Sequence, residues 1–172
     1  MEHLKANPIT VDPTGGEILS VVGGNYRILV SGKQTNGDFS TIEMLVPPQN
    51  GPGPHSHAGF HESFYILDGE VEVYSEAGCY TARKGSYVVV PKGGIVHSFK
   101  NVSDRLAKLL CTVVPAGLEE FFGEFGTPVA FNEFLPAPEL NPEALKKVQA
   151  IAQKHGQTLY PPDYLKNNQT NI

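Results

Sequence analysis

The sequence has no tryptophan, only two cysteines, and no apolar run near the roughly 20 residues that a membrane-spanning helix needs. Cys79 and Cys111 make no disulfide framework, so a reduced, cytoplasmic setting is the expectation. The opening residues, MEHLKANPITVDP, lack the apolar centre of a secretory signal. Basic residues are few and scattered, 13 Lys and Arg against 18 Asp and Glu, for a net charge of -5. Phosphate backbones are bound by clustered Lys and Arg, so nucleic acid is not an expected partner, and neither is a membrane. What is plentiful is glycine, with 18 residues, and proline, with 14. Turn residues at that density, between short apolar and β-branched runs, predict an all-β fold. A chain of 172 residues is long enough for one domain with a proper core.

Two stretches carry the chemistry. The first, GPGPHSHAGFHESFYILDG, ends at Gly69 and holds three of the six histidines. His55 and His57 are one residue apart, so on a strand both imidazoles point to one face. Glu62 adds a carboxylate. The second stretch, Gly85–Asn101, reads GSYVVVPKGGIVHSFKN and supplies His97. Ser98 and Lys100 alternate with His97 and Phe99, so the polar pair faces out and His97 faces in. Three imidazoles and a carboxylate suit a borderline divalent transition metal, whereas calcium and magnesium prefer oxygen shells. His61 is adjacent to Glu62 and points the other way on a regular strand. Glu43 and Glu72 are acid/base candidates only if they enter the barrel, and alternation with valines marks Glu72 as solvated. Cys111 reads as a small buried filler, with pocket lining as the alternative. Core packing is the expected role of Tyr26, Phe64, Tyr65 and Phe99.

These stretches resemble the two cupin motifs. The first has Gly51, the His55-x-His57 pair, Glu62 after four intervening residues, and Gly69 after six more. The second has Gly85, Pro91, Gly93, His97 and Asn101. Three residues separate Gly93 from His97 where the usual pattern has two, and Gly51 sits one residue closer to its histidines than usual. The resemblance runs over roughly Gly23 to Asp163 and extends to single-domain, quercetin dioxygenase-like cupins. It implies a small jelly-roll barrel in which His55, His57, Glu62 and His97 hold one metal. Iron is the first expectation, with Mn, Ni, Cu or Zn as alternatives. It further implies a metal-dependent dioxygenase acting on a small enol or phenol, with Glu62 as the proton acceptor. A non-catalytic binding module and a metal-dependent isomerase or lyase are the alternatives. Single-domain cupins are often homodimers, and a homodimer is expected here.

The chain divides into a lead-in over residues 1–16, a barrel over 17–115 and a helical extension over 116–172 packing on it. Strands are predicted at Glu17–Val22, Tyr26–Val30, Phe39–Val46, Cys79–Ala82, Ser86–Val90 and Leu106–Val114. Asp68-Gly69 predicts a hairpin between Phe64–Leu67 and Val71–Tyr74. On the last strand Leu109, Cys111 and Val113 should point inward. Helices are predicted at Leu118–Phe125 and at Glu143–Lys154, the second capped by Asn141 with Pro142 in its first turn and stopped by Gly156. The tail, Gln157–Ile172, contains Pro161-Pro162 and ends polar, so its last residues are expected to be loose.

Overall fold

The computed structural model describes residues 7–139 and 141–167. The first six residues of the predicted lead-in and the last five of the predicted loose end lie outside them. Twelve strands and three helices follow one another along these residues. They are β1 (Glu17–Val21), β2 (Gly24–Val30), β3 (Ser40–Val46), β4 (His55–His57), β5 (His61–Asp68) and β6 (Glu70–Ser75). Then come β7 (Gly78–Arg83), β8 (Tyr87–Val90), β9 (His97–Lys100), β10 (Ala107–Val114), α1 (Leu118–Phe125) and β11 (Thr127–Pro128). The chain closes with α2 (Pro142–Lys154), β12 (Gln157–Leu159) and α3 (Tyr164–Asn167).

Two antiparallel sheets form the barrel. One has seven strands in the order β11-β1-β2-β3-β10-β5-β8, and the other five in the order β12-β4-β9-β6-β7. Side chains alternate across each strand, so one row from each sheet meets in the middle. On β10, Ala107, Leu109, Cys111 and Val113 are buried while Lys108, Leu110 and Thr112 are only partly so. Ile42, Met44 and Val46 of β3 join them, as do Phe64 and Ile66 of β5. From the facing sheet come Val71 and Phe99. Phe64 and Phe99 meet edge to face across the two sheets, with ring centroids 5.3 Å apart. Each such fully buried apolar side chain contributes about 1.5–3 kcal/mol relative to exposure.

The predicted hairpin at Asp68-Gly69 is not formed. β5 pairs with β10 and β8, and β6 pairs with β7 and β9. Both edges of each strand are therefore taken by other partners, and Asp68-Gly69 is the corner where the chain crosses between sheets. The sequence correctly marks a left-handed residue, since Gly69 has φ 72°. A Cβ there would lie 2.8 Å from the Leu106 carbonyl oxygen, so the corner also rests directly on the entry to β10. Tight two-residue turns lie elsewhere, at Val22-Gly23 between β1 and β2, where both residues are left-handed, and at Glu76-Ala77 between β6 and β7.

α1 and α2 form as predicted. The Asn141 side chain accepts from Ala144 N and caps α2. The segment beyond the barrel is more than helical, because it adds β11 to the edge of one sheet and β12 to the edge of the other. Leu118, Phe121 and Phe122 of α1 close the core, and Tyr26 packs edge-on against Phe122 at 5.2 Å. No helix among the described residues is long and apolar enough to cross a membrane.

Candidate metal centre

Strand pairing brings the two motifs together. β4 lies beside β9, and His55 is directly opposite His97 in that pairing. Gly51 makes the approach feasible: its φ is 150°, and a Cβ would lie 2.1 Å from the Phe99 carbonyl oxygen on β9. The loop leading to His55 therefore runs in van der Waals contact with the strand that carries His97. A hydrogen bond from Gly93 N to Ala58 O ties the loop before His97 to the one after His57. Asn101 closes the second motif structurally, donating to Val46 O at 2.8 Å and Arg105 O at 2.6 Å while Ser103 donates to its side-chain oxygen. Glu62 reaches in from β5, in the opposite sheet.

His55, His57, Glu62 and His97 converge inside the barrel, with one potential ligand atom from each lying within 4.8 Å of the others. This group could hold a metal ion. Each imidazole is oriented by a backbone carbonyl: His55 Nδ1 donates to Gly53 O at 3.0 Å, His57 Nδ1 to Phe60 O at 3.1 Å, and His97 Nδ1 to Ile95 O at 3.1 Å. A carbonyl oxygen only accepts, so Nδ1 carries the proton in all three rings. In the neutral rings the Nε2 lone pairs are then left free for the centre of the barrel. Phe60 also stacks on His57, with centroids 4.0 Å apart, and locks its plane.

Glu62 Oε2 lies 3.0 Å from His57 Nε2 and 3.4 Å from His97 Nε2. A lone pair facing a carboxylate at that distance is repulsive unless a proton or cation sits between them. Burial works to raise the Glu62 carboxyl, but where His57 and His97 also carry a proton on Nε2, their hydrogen bonds and the charges of His97 and His55 outweigh it. The group is held well below the usual carboxylate range. His55 is pushed down to about 4, first by burial and then by the neighbouring His97 charge. An ionised carboxylate beside the ring nitrogens of three imidazoles is a cation's donor set.

Around this cluster the other candidates separate. His61 is exposed on the far face of β5, where its Nδ1 accepts from Lys92 N at 3.4 Å, as alternation predicts. Glu43 does not enter the barrel. It lies on the outer face of β3, paired with Arg27 at 3.2 Å and Lys108 at 2.9 Å. Glu72 is partly exposed and accepts from the Tyr74 hydroxyl. Cys111 is more than a filler: its Sγ donates to Glu62 Oε1 at 3.5 Å. Burial, then the Glu62 charge, pushes this thiol well up, so it stays a donor. Burial likewise raises the Tyr26 phenol, with smaller contributions from Cys111 and Glu62. The inward row of β10 foretells that Cys111 is interior, but its contact with Glu62 depends on the pairing of β10 with β5. An open cavity of about 410 Å³ reaches His97 between β6, β7 and β8, walled by Val73, Val88, Val90 and Ile95.

A two-sheet antiparallel barrel, with three histidines and a glutamate meeting at its centre, defines the cupin class of protein. Comparison with known proteins agrees. The family model for the cupin domain matches residues 42–113, so this stretch of the chain carries a cupin domain. The quercetin 2,3-dioxygenase of Bacillus subtilis is 25% identical over 134 residues, which is 78% of this chain and 39% of that protein. The chain thus spans about two fifths of the length of that relative. Among solved structures, a predicted oxalate decarboxylase from Thermotoga maritima superposes with a TM-score of 0.55 at 22% identity, over 63% of this chain and 99% of that one. An RmlC-like cupin from Shewanella frigidimarina gives 0.55 at 17% identity, over 67% and 96%. At such identities these two likenesses establish the fold.

Proposed function

We propose that this cupin is a metal-dependent dioxygenase for a small, oxygen-rich enol or phenol, with the metal held by His55, His57, Glu62 and His97. The observation that carries the reading is the donor set itself: three imidazoles whose Nδ1 protons are committed to carbonyls, converging with one ionised carboxylate. Iron is the first choice, with Mn, Ni, Cu or Zn as substitutes. A divalent transition metal held there would supply Lewis acidity and, for the redox-active choices other than Zn, a redox centre for dioxygen. Four protein ligands leave positions open on a six-coordinate ion, the mark of a catalytic rather than a structural site. The cavity beside His97 admits a flat apolar body against Val73, Val88, Val90 and Ile95. Glu62 takes the proton of the substrate hydroxyl as general base, while Cys111 holds its other oxygen in place. The likeness to a quercetin 2,3-dioxygenase supports the substrate class.

The test has two stages. Elemental mass spectrometry of wild type beside His57→Ala should find near-stoichiometric metal in the first and loss in the second. Oxygen-electrode assays across flavonols and simpler enols should then show metal-dependent uptake. Turnover without oxygen would redirect the reading to an isomerase or lyase. Stabilisation by a ligand with no turnover would make the barrel a binding module.

A further inference from the structure

The C-terminal segment brings one more polar side chain to the barrel interior. In the pairing of β12 with β4, Gln157 lies directly opposite His57. Opposed residues of an antiparallel pair project from the same face of the sheet, here the face on which His57 meets Glu62 and His97. Burial agrees with the register: Gln157 is 4% exposed while Thr158, next along the strand, is exposed. Its Nε2 is buried and has no hydrogen-bond partner among the described residues. An amide donor enclosed without an acceptor is destabilising, and proteins seldom keep one that has no use.

We propose that Gln157 Nε2 donates a hydrogen bond to an oxygen of the ligand bound beside the metal centre, making Gln157 a specificity-determining residue supplied from outside the two motifs. This rests on the metal-centre reading above and extends it to the ligand. The acceptor is the oxygen of a deprotonated enol or phenol, because an N–H donor favours the oxygen that carries negative charge. An apolar ligand, or one presenting only a donor at that point, would leave the amide unpaired and bind less well.

The test uses Co(II) as the metal and 4-nitrocatechol as the ligand, followed by its visible absorption on coordination. Wild type is compared with Gln157→Leu and with Gln157→Met, a slimmer side chain of similar length. Both variants should bind Co(II) within about twofold of wild type and 4-nitrocatechol about tenfold more weakly. Without metal or ligand, their melting temperatures should equal or exceed that of wild type by up to about 5 °C, since the unpaired donor is gone. Unchanged 4-nitrocatechol affinity in the Co(II)-loaded variants would make Gln157 a core filler and overturn the proposal. So would a Co(II) affinity loss of about tenfold or more, which would make Gln157 part of the metal site itself. A wild-type protein that binds no Co(II) would overturn the metal-centre reading, and the donor role would fall with it.

Discussion

Glu62→Gln is the most informative single substitution, because the metal-centre reading and its rival predict opposite signs. The rival is an internal ion pair, in which a charged imidazole at 3.0 Å holds the carboxylate and no metal is involved. Breaking a buried pair by removing one partner costs about 3–5 kcal/mol. If instead the carboxylate awaits a metal, the metal-free protein encloses a charge opposite nitrogen lone pairs. Gln keeps the shape, removes the charge, and can donate its amide N–H to His57 Nε2. The metal-free variant should then be as stable as wild type or more so. Metal should do the reverse. At a free concentration of 100 Kd, binding stabilises wild type by about 2.7 kcal/mol. At about 2–4 °C per kcal/mol for a chain of this size, that raises the melting temperature by roughly 5–11 °C. Glu62→Gln should lose most of that rise. The assay is thermal unfolding of chelator-treated protein, with and without added Co(II), at a pH near 8 where metal ligands are least contested by protons. A metal-free Glu62→Gln protein destabilised by about 3 kcal/mol or more would refute the reasoning, since only the ion pair predicts it.

Three further outcomes follow from the structure. Cys111→Val removes the donor to Glu62 Oε1 without opening the core, and should weaken metal binding by about tenfold in a chelator competition while the fold persists. Glu119 accepts from Gly32 N at 2.6 Å and from Gly117 N at 2.9 Å. Burial raises its carboxyl, but these backbone hydrogen bonds prevail and the group is shifted down from 4.5. A lowered carboxyl contributes stability that is present above the unfolded value and is lost as the pH falls below about 4.5 toward the folded value. Urea midpoints should therefore fall with acid in that range, and Glu119→Gln should flatten the slope while costing about 1–2 kcal/mol at neutral pH, because one amide oxygen cannot accept from both donors as well. Gly69→Ala forces a Cβ to within 2.8 Å of the Leu106 carbonyl at a left-handed residue. It should cost about 2–3 kcal/mol in urea unfolding, whereas Gly85→Ala, also left-handed but with open space around it, should cost about 1 kcal/mol.

Local pattern was enough to place the barrel strands, though not β11 or β12, the first two helices, and the four residues that converge at the candidate centre. These are local properties. Alternation along β9 and β10 is set by the polarity of neighbouring residues, so His97 and Cys111 were legible as interior. The cap at Asn141 is a contact within four residues. His61 could be set aside because adjacent strand residues face opposite ways. Strand partners were not legible, since the same Asp-Gly pair serves a hairpin or a corner and only competition for strand edges decides which. That is why the hairpin between β5 and β6 was expected and a crossing between sheets is found. The facing of Glu43 was undecidable for a similar reason: either side of β3 could be the core until Arg27 and Lys108 arrived from its neighbours. The fold also assembled what no spacing announces, namely Cys111 against Glu62 and Gln157 beside His57. In chain order those pairs are 49 and 100 residues apart, and only the pairing of β10 with β5 and of β12 with β4 brings them within reach.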